Sequence, residues 1–114
     1  MADPLQGEVY YWPQIKKNHP MGDQKVHRWV VVSRDVFNKG SAHVLACPLT
    51  SYLPTALDIE VKKTPHNRLD HDSALLPRMI SPILKDELGE PIARLSGSVT
   101  QHVLDRLRMI VEVQ

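Results

Sequence analysis

Val26-His27-Arg28-Trp29-Val30-Val31-Val32-Ser33 and Val44-Leu45-Ala46-Cys47-Pro48-Leu49-Thr50 are the two stretches whose reading decides the fold. Each is a short apolar run rich in β-branched side chains, the composition of a buried strand. Core packing accounts for most of both runs. It does not account for the arginine near the start of the first or the threonine that ends the second. Arginine is rarely buried without a partner, and its guanidinium matches carboxylates and phosphates. Arg28 and Thr50 are therefore candidate site residues. The same two residues also fit a surface ion pair and a turn cap.

Working outward, residues 7–12 (Gly-Glu-Val-Tyr-Tyr-Trp) read as a first strand stopped by Pro13. Residues 14–25 are a long polar loop, residues 26–33 a second strand, and residues 34–41 a connection. A third strand covers 43–49, and residues 51–55 form a loop around Pro54. Residues 56–61 alternate apolar and polar, the period of a strand with one wet face. Residues 62–72 are a polar loop. Residues 73–80 read as a fifth strand interrupted by Pro77, and 92–95 as a short sixth. Ser96 is a good N-cap, and Val99, Val103 and Leu107 recur at helical spacing as a core stripe. Residues 109–113 look more strand-like. Several short strands followed by one late helix predict a mostly β, small barrel closed by a C-terminal helix.

The 114 residues fit one domain, 1–114, large enough to bury a core. Hydrophobic residues make up 42% and charged residues 24%, as in soluble globular proteins. A net charge of +1 excludes a global basic field, so any nucleic-acid site must be a local patch. The lone Cys47 cannot form an internal disulfide and reads as a small buried hydrophobe. No apolar stretch approaches the length of a membrane span, and the N-terminus lacks the pattern of a signal peptide. The expected location is the cytoplasm.

These stretches, taken in order, resemble the MazF/PemK toxins of type II toxin–antitoxin systems, of the MazF/CcdB-like superfamily. The likeness rests on residues 7–12, on Gln24 followed by Arg28 and the Val-Val-Val-Ser exit, on the strand ending Pro-Leu-Thr-Ser at 48–51, and on Asp72-Ser73-Ala74-Leu75-Leu76 and Arg94-Leu95-Ser96 through Val111. The resemblance implies an SH3-like barrel that forms a homodimer. It implies metal-independent, sequence-specific cleavage of single-stranded RNA, mostly messenger RNA. It also implies inhibition by an antitoxin with a partly disordered segment. Arg28 and Thr50 map onto the family's catalytic pair. Lys16, Lys17, Gln24, Lys25, Ser33, Ser51 and Arg78 are the expected RNA-binding residues.

The chain departs from the family at two places. Trp29 stands where proline usually follows the arginine. Met79-Ile80-Ser81 replaces the usual Gln-apolar-Arg segment, with Arg78 as the nearest positive charge. Two further readings follow from these comparisons. One is a CcdB-like gyrase poison, disfavoured because the chain ends Met-Ile-Val-Glu-Val-Gln and not Trp-Gly-Ile. The other is a barrel that binds RNA or a regulatory partner without cutting.

Cleavage through a 2′-hydroxyl needs a base, a stabiliser of the phosphorane and an acid for the leaving oxygen. Arg28 suits the second role and is too basic for the first. Thr50 can donate a hydrogen bond to a phosphate oxygen. Of six histidines, His27 points away from Arg28 if both lie in one strand, whereas the loops of His19, His66 and His71 could reach RNA. None has the spacing of a zinc site, so no metal or other cofactor is expected. Tyr10, Tyr11 and Trp12 could stack on bases, two of them being needed for packing instead.

Overall fold

A computed structural model describes residues 3–13, 19, 28–51 and 56–111. The described strands are β1 (Glu8–Tyr11), β2 (Arg28–Val31), β3 (His43–Thr50), β4 (Ile59–Val61), β5 (Ser73–Leu75), β6 (Ser81–Leu84) and β7 (Ala93–Arg94); the helices are α1 (Asp35–Gly40) and α2 (Gly97–Val111). All pairings are antiparallel, in the order β4-β5-β3-β2-β1-β7. β3 is long enough to pair two strands along one edge, with β6 beside its first half and β5 beside its end. The sheet curls until the N–H of Arg94 in β7 reaches the carbonyl of Asn67, just beyond β4, at 3.3 Å. The result is a mostly β half-barrel with a C-terminal helix.

Alternation along the strands sorts the side chains into two buried clusters. Val9, Val30, Cys47, Leu49, Val61, Leu75 and Leu95 form the inner one, and Val103 of α2 packs into it, with Val99 and Leu107 against its side. Tyr10, Trp12, Trp29, Val31, Ala74, Leu76 and Ile83 form the outer one. Trp12 and Trp29 meet edge to face at 5.2 Å, a favoured aromatic geometry. Gly7 precedes β1 at φ +92°, and a Cβ there would lie 3.2 Å from Thr100 Oγ1, so only glycine fits between sheet and helix comfortably.

The structure differs from the sequence reading at four places. Residues 35–40 form α1, where a connection is expected. A helix of six residues is too short to stabilise itself and is held by tertiary bonds to Asn38 and Asp35. The strand expected over 73–80 ends at Leu75, because Pro77 opens a tight 3-10 turn over Pro77–Met79, and a separate strand, β6, follows. Of residues 56–61, only 59–61 pair. Finally, α2 continues to Val111 through the β-branched end that reads as strand-like. Its cap is as expected, with the N–H of Val99 donating to Ser96 Oγ at 3.4 Å. Among the described residues, no helix is long and apolar enough to cross a membrane.

Candidate active site

Arg28 opens β2 directly opposite Leu49 of β3 and Tyr11 of β1. It shares the inner face with Val30, and its guanidinium lies where that core ends, only 17% exposed. Nη2 donates to Ser73 Oγ and to His71 Nε2, both at 3.1 Å. Nη1 is 3.7 Å from Asp70 Oδ1, a charge contact too long for a hydrogen bond. Nη1 is thus a buried cationic donor with no hydrogen-bond partner. Burial pulls the Arg28 pKa below its usual value, and Asp70 partly opposes this. Arginine nevertheless stays charged at neutral pH.

The loop between β4 and β5 delivers the groups around Arg28. Leu69 anchors it in the inner core. Asn67 Oδ1 accepts from the N–H groups of Thr64 (3.1 Å) and Leu69 (3.0 Å), and its Nδ2 donates to Lys62 O at 2.9 Å. Arg68 lies in the left-handed region at φ 61°, which turns the chain between Asn67 and Leu69. At the exit, Ser73 Oγ donates to His71 O at 3.2 Å while accepting from Arg28. Asp70 and His71 are thereby held over the guanidinium.

The protonation of His71 follows from its partners. Arginine has only donors, so Nε2 must be the accepting, unprotonated nitrogen. Nδ1 then carries the proton and donates to Asp70 Oδ1 at 2.7 Å. Nε2 also lies 2.7 Å from Ser51 Oγ, and because its single lone pair serves one donor at a time, Ser51 and Arg28 share it. The arrangement is a neutral imidazole, oriented by a carboxylate, with its basic nitrogen beside a guanidinium.

The expected site residues fare differently. Arg28 and Ser51 are brought together through His71. Thr50 is not placed with them. Register pairs it with Ala74 on the outer face, where it is buried, while Ser51 returns to the face of Arg28. Ser33 is also buried away from the site, because its hydroxyl donates to Asn38 Oδ1 and accepts from the N–H of Leu45 at 3.0 Å. Arg78 is committed to Asp58, Nε to Oδ1 at 3.3 Å. His19 packs edge-on to Trp12 and Trp29 and bonds Ser81 Oγ at 2.9 Å, on the outer side. Lys16, Lys17, Gln24, Lys25 and His27 lie outside the described residues. Cys47 is buried, with its thiol pushed up to about 12 by desolvation, and is inert as read. Of the aromatic trio, Tyr10 and Trp12 pack in the core, and Tyr11 stands 49% exposed beside Arg28. Sequence reasoning missed Asp70 and Ser73. Their signal is the polar cluster Asp70-His71-Asp72-Ser73 directly before a strand.

This curled sheet with its C-terminal helix has parallels among known proteins. The family model for "PemK-like, MazF-like toxin of type II toxin-antitoxin system" matches residues 5–111. The chain belongs to that toxin family. Among solved structures, an endoribonuclease from a mycobacterial species is similar at 25% identity and TM-score 0.72, covering 96% of this chain and 91% of the other. A mycobacterial endoribonuclease in complex with its cognate antitoxin is similar at 22% identity and TM-score 0.74, with 97% of each chain covered. MazF from Deinococcus radiodurans shares the fold at 20% identity and TM-score 0.75, over 97% and 98%. No curated protein is significantly similar. As a member of the PemK/MazF family, the chain is the toxin of a type II toxin–antitoxin system.

Proposed function

We propose that this toxin is a metal-independent endoribonuclease that cuts single-stranded RNA, messenger RNA above all, at specific sequences. The cut proceeds through the 2′-hydroxyl and leaves a 2′,3′-cyclic phosphate. The protein acts in the cytoplasm as a homodimer, and its antitoxin silences it with a flexible segment laid over the same groove. The similarity to a mycobacterial endoribonuclease supports the activity, and the antitoxin complex of a second supports the partner.

The observation that carries the reading is Arg28 Nη1, a buried cationic donor without a hydrogen-bond partner. An unmet buried donor costs about 1–3 kcal/mol, and more when charged. Nη1 is closed to solvent, so a phosphate oxygen reaches and satisfies it once the Asp70–His71 loop that covers it moves aside. The guanidinium is also fixed in advance by Ser73, so it stabilises charge developing on a phosphorane without itself reorganising. Tyr11, the cross-strand neighbour of Arg28, presents a half-exposed ring on which a base next to that phosphate can stack. Thr50, on the other face, is given no step.

The test is incubation of the purified protein with a long RNA of mixed sequence in EDTA, with cut sites mapped by primer extension. Cuts at a recurring short sequence are expected. Arg28→Ala should lower the cleavage rate by about 10²–10³, the usual effect of removing one oxyanion donor. Its melting temperature should stay close to that of the unaltered protein, since the change also removes an unmet donor. Binding without cuts, or full activity in folded Arg28→Ala, overturns the proposal.

A further inference from the structure

We infer that His71 is the general base of this site and that Asp70 is its positioning residue. The inference rests on the ribonuclease reading above and assigns the base, one of the two roles which that reading leaves open.

Three observations converge on it. First, the tautomer is dictated: Arg28 Nη2 donates to Nε2, so the basic lone pair of His71 faces the guanidinium and the Nδ1 proton faces Asp70. Second, a hydroxyl, Ser51 Oγ, already lies 2.7 Å from Nε2 and competes with Arg28 for its lone pair, within the reach a general base needs. Ser51 is exposed and turns on a single bond, so its hydroxyl marks the place that a ribose 2′-hydroxyl can take. Third, the unmet donor is on Nη1, the other branch of the same guanidinium. A phosphate bound there lies beside the base and not across the cleft from it. Asp70 is well exposed, which fits a residue that orients the ring rather than one that becomes protonated.

The step balances as follows. His71 Nε2 takes the proton of the 2′-hydroxyl. The 2′-oxygen forms a bond to phosphorus, and the bond from phosphorus to the 5′-oxygen breaks. The 5′-oxygen leaves with that electron pair and takes a proton from water. The products are a 2′,3′-cyclic phosphate and a 5′-hydroxyl, and the imidazolium later returns its proton to solvent. Arg28 holds the phosphate oxygens throughout. Among the described residues, the charged and titratable groups facing the ring are Arg28 and Asp70, with Asp72 one residue further along the loop.

The test uses the full chain and a short RNA containing one mapped cut site. His71→Gln keeps an acceptor for Arg28 but has no basic nitrogen. It should cut about 10²–10⁴-fold more slowly, with RNA affinity and melting temperature unchanged. Its remaining rate should lose the rise with pH that deprotonation of an imidazole gives the unaltered protein. Asp70→Asn should slow cutting about fivefold, the contribution of one ordinary hydrogen bond, with the loss in kcat and KM unchanged. A substrate with a single 2′-deoxy residue at the cut site should not be cleaved.

A folded His71→Gln protein with normal rate and pH profile overturns the inference while leaving the ribonuclease reading intact. Cleavage of the 2′-deoxy substrate also overturns it, together with the 2′-hydroxyl route proposed above, because the group that His71 is to deprotonate would then not be needed. Absence of cleavage by the unaltered protein overturns both.

Discussion

Ser33→Ala separates a structural serine from a nucleic-acid-binding one, and the size of the effect can be worked out from its bonds. The Ser33 hydroxyl donates to Asn38 Oδ1 and accepts from the N–H of Leu45 at 3.0 Å. Asn38 is fully buried, and its Nδ2 donates onward to Pro4 O at 3.0 Å and Ser33 O at 3.1 Å. One hydroxyl thus joins β3, α1 and the segment leading into β1. Removing it leaves a backbone N–H and an amide oxygen unmet. At about 1–3 kcal/mol each, less some relaxation at the half-buried Leu45, the loss is about 3 kcal/mol. For a chain of this size that lowers the melting temperature by roughly 10–15 °C. Asn38→Ala should cost a similar amount. The double variant should cost less than the sum by about 1 kcal/mol, because the two residues share a bond. Calorimetry or a thermal melt followed by circular dichroism measures all three. RNA affinity, measured below the transition, should be unaltered by Ser33→Ala. A melting temperature within about a degree of the starting protein, combined with weakened RNA binding, would refute this account and restore Ser33 to the RNA surface.

Tyr11→Ala should weaken RNA binding by the worth of one stacked base, about 1–3 kcal/mol, while leaving the fold intact; filter binding at fixed salt measures it, and unchanged affinity removes Tyr11 from the site. Burial against Trp12 and Trp29 lowers the His19 pKa from 6.5, so the unfolded chain binds that proton more readily than the folded one. The stabilisation is therefore complete above the unfolded value and is lost as pH falls through and below it. Melting temperatures taken from pH 8 down to 5 should fall, and His19→Gln should flatten that dependence; an equal slope in the variant refutes the assignment. Asn67→Ala removes three hydrogen bonds that shape the loop carrying His71 and should cost about 2–4 kcal/mol. It should also lower the cleavage rate more than RNA affinity, whereas lost affinity with normal turnover would show that the loop binds rather than catalyses.

What the sequence discloses depends on whether packing leaves a periodic trace. β2 and β3 are legible because both faces are buried, so nearly every residue from Trp29 to Val32 and from Ala46 to Leu49 is apolar. The stripe Val99, Val103, Leu107 is legible because one side of α2 meets the inner cluster. α1 leaves no such trace: its one buried residue is the polar Asn38, whose meaning lies in bonds to residues far away in the chain. That Arg28 and Thr50 take opposite faces is illegible for a different reason. Both residues are legible as polar ends of apolar runs, but which of two consecutive residues shares a face with Arg28 depends on register. The pair Arg28–Leu49 makes that neighbour Ser51, and a shift of one residue would have made it Thr50.

The same register explains how this chain accommodates its departure from the family pattern. The segment after β5, where Met79-Ile80-Ser81 stands in place of the Gln-apolar-Arg pattern, is tied into the fold here. Pro77 bends it, Met79 packs against the outer cluster, and Ser81 Oγ donates to Met79 O at 3.0 Å while accepting from His19. Arg78 is spent on Asp58, whose side chain is only 3% exposed. None of these groups points its chemistry at Arg28. The loop before β5 does, and it brings both an acceptor and a carboxylate to the guanidinium. An arginine this buried needs partners to hold its charge, and exposed Asp70 at 3.7 Å is a weak one. The neutral imidazole supplies a hydrogen bond without cancelling the charge. That leaves Arg28 strongly attractive to a phosphate, which a close, buried carboxylate would not. Among the described residues, the positive charge at this site comes from one guanidinium, and the proposed base comes from one loop. Mutations there should separate phosphate binding from proton transfer more cleanly than in a surface built from several arginines.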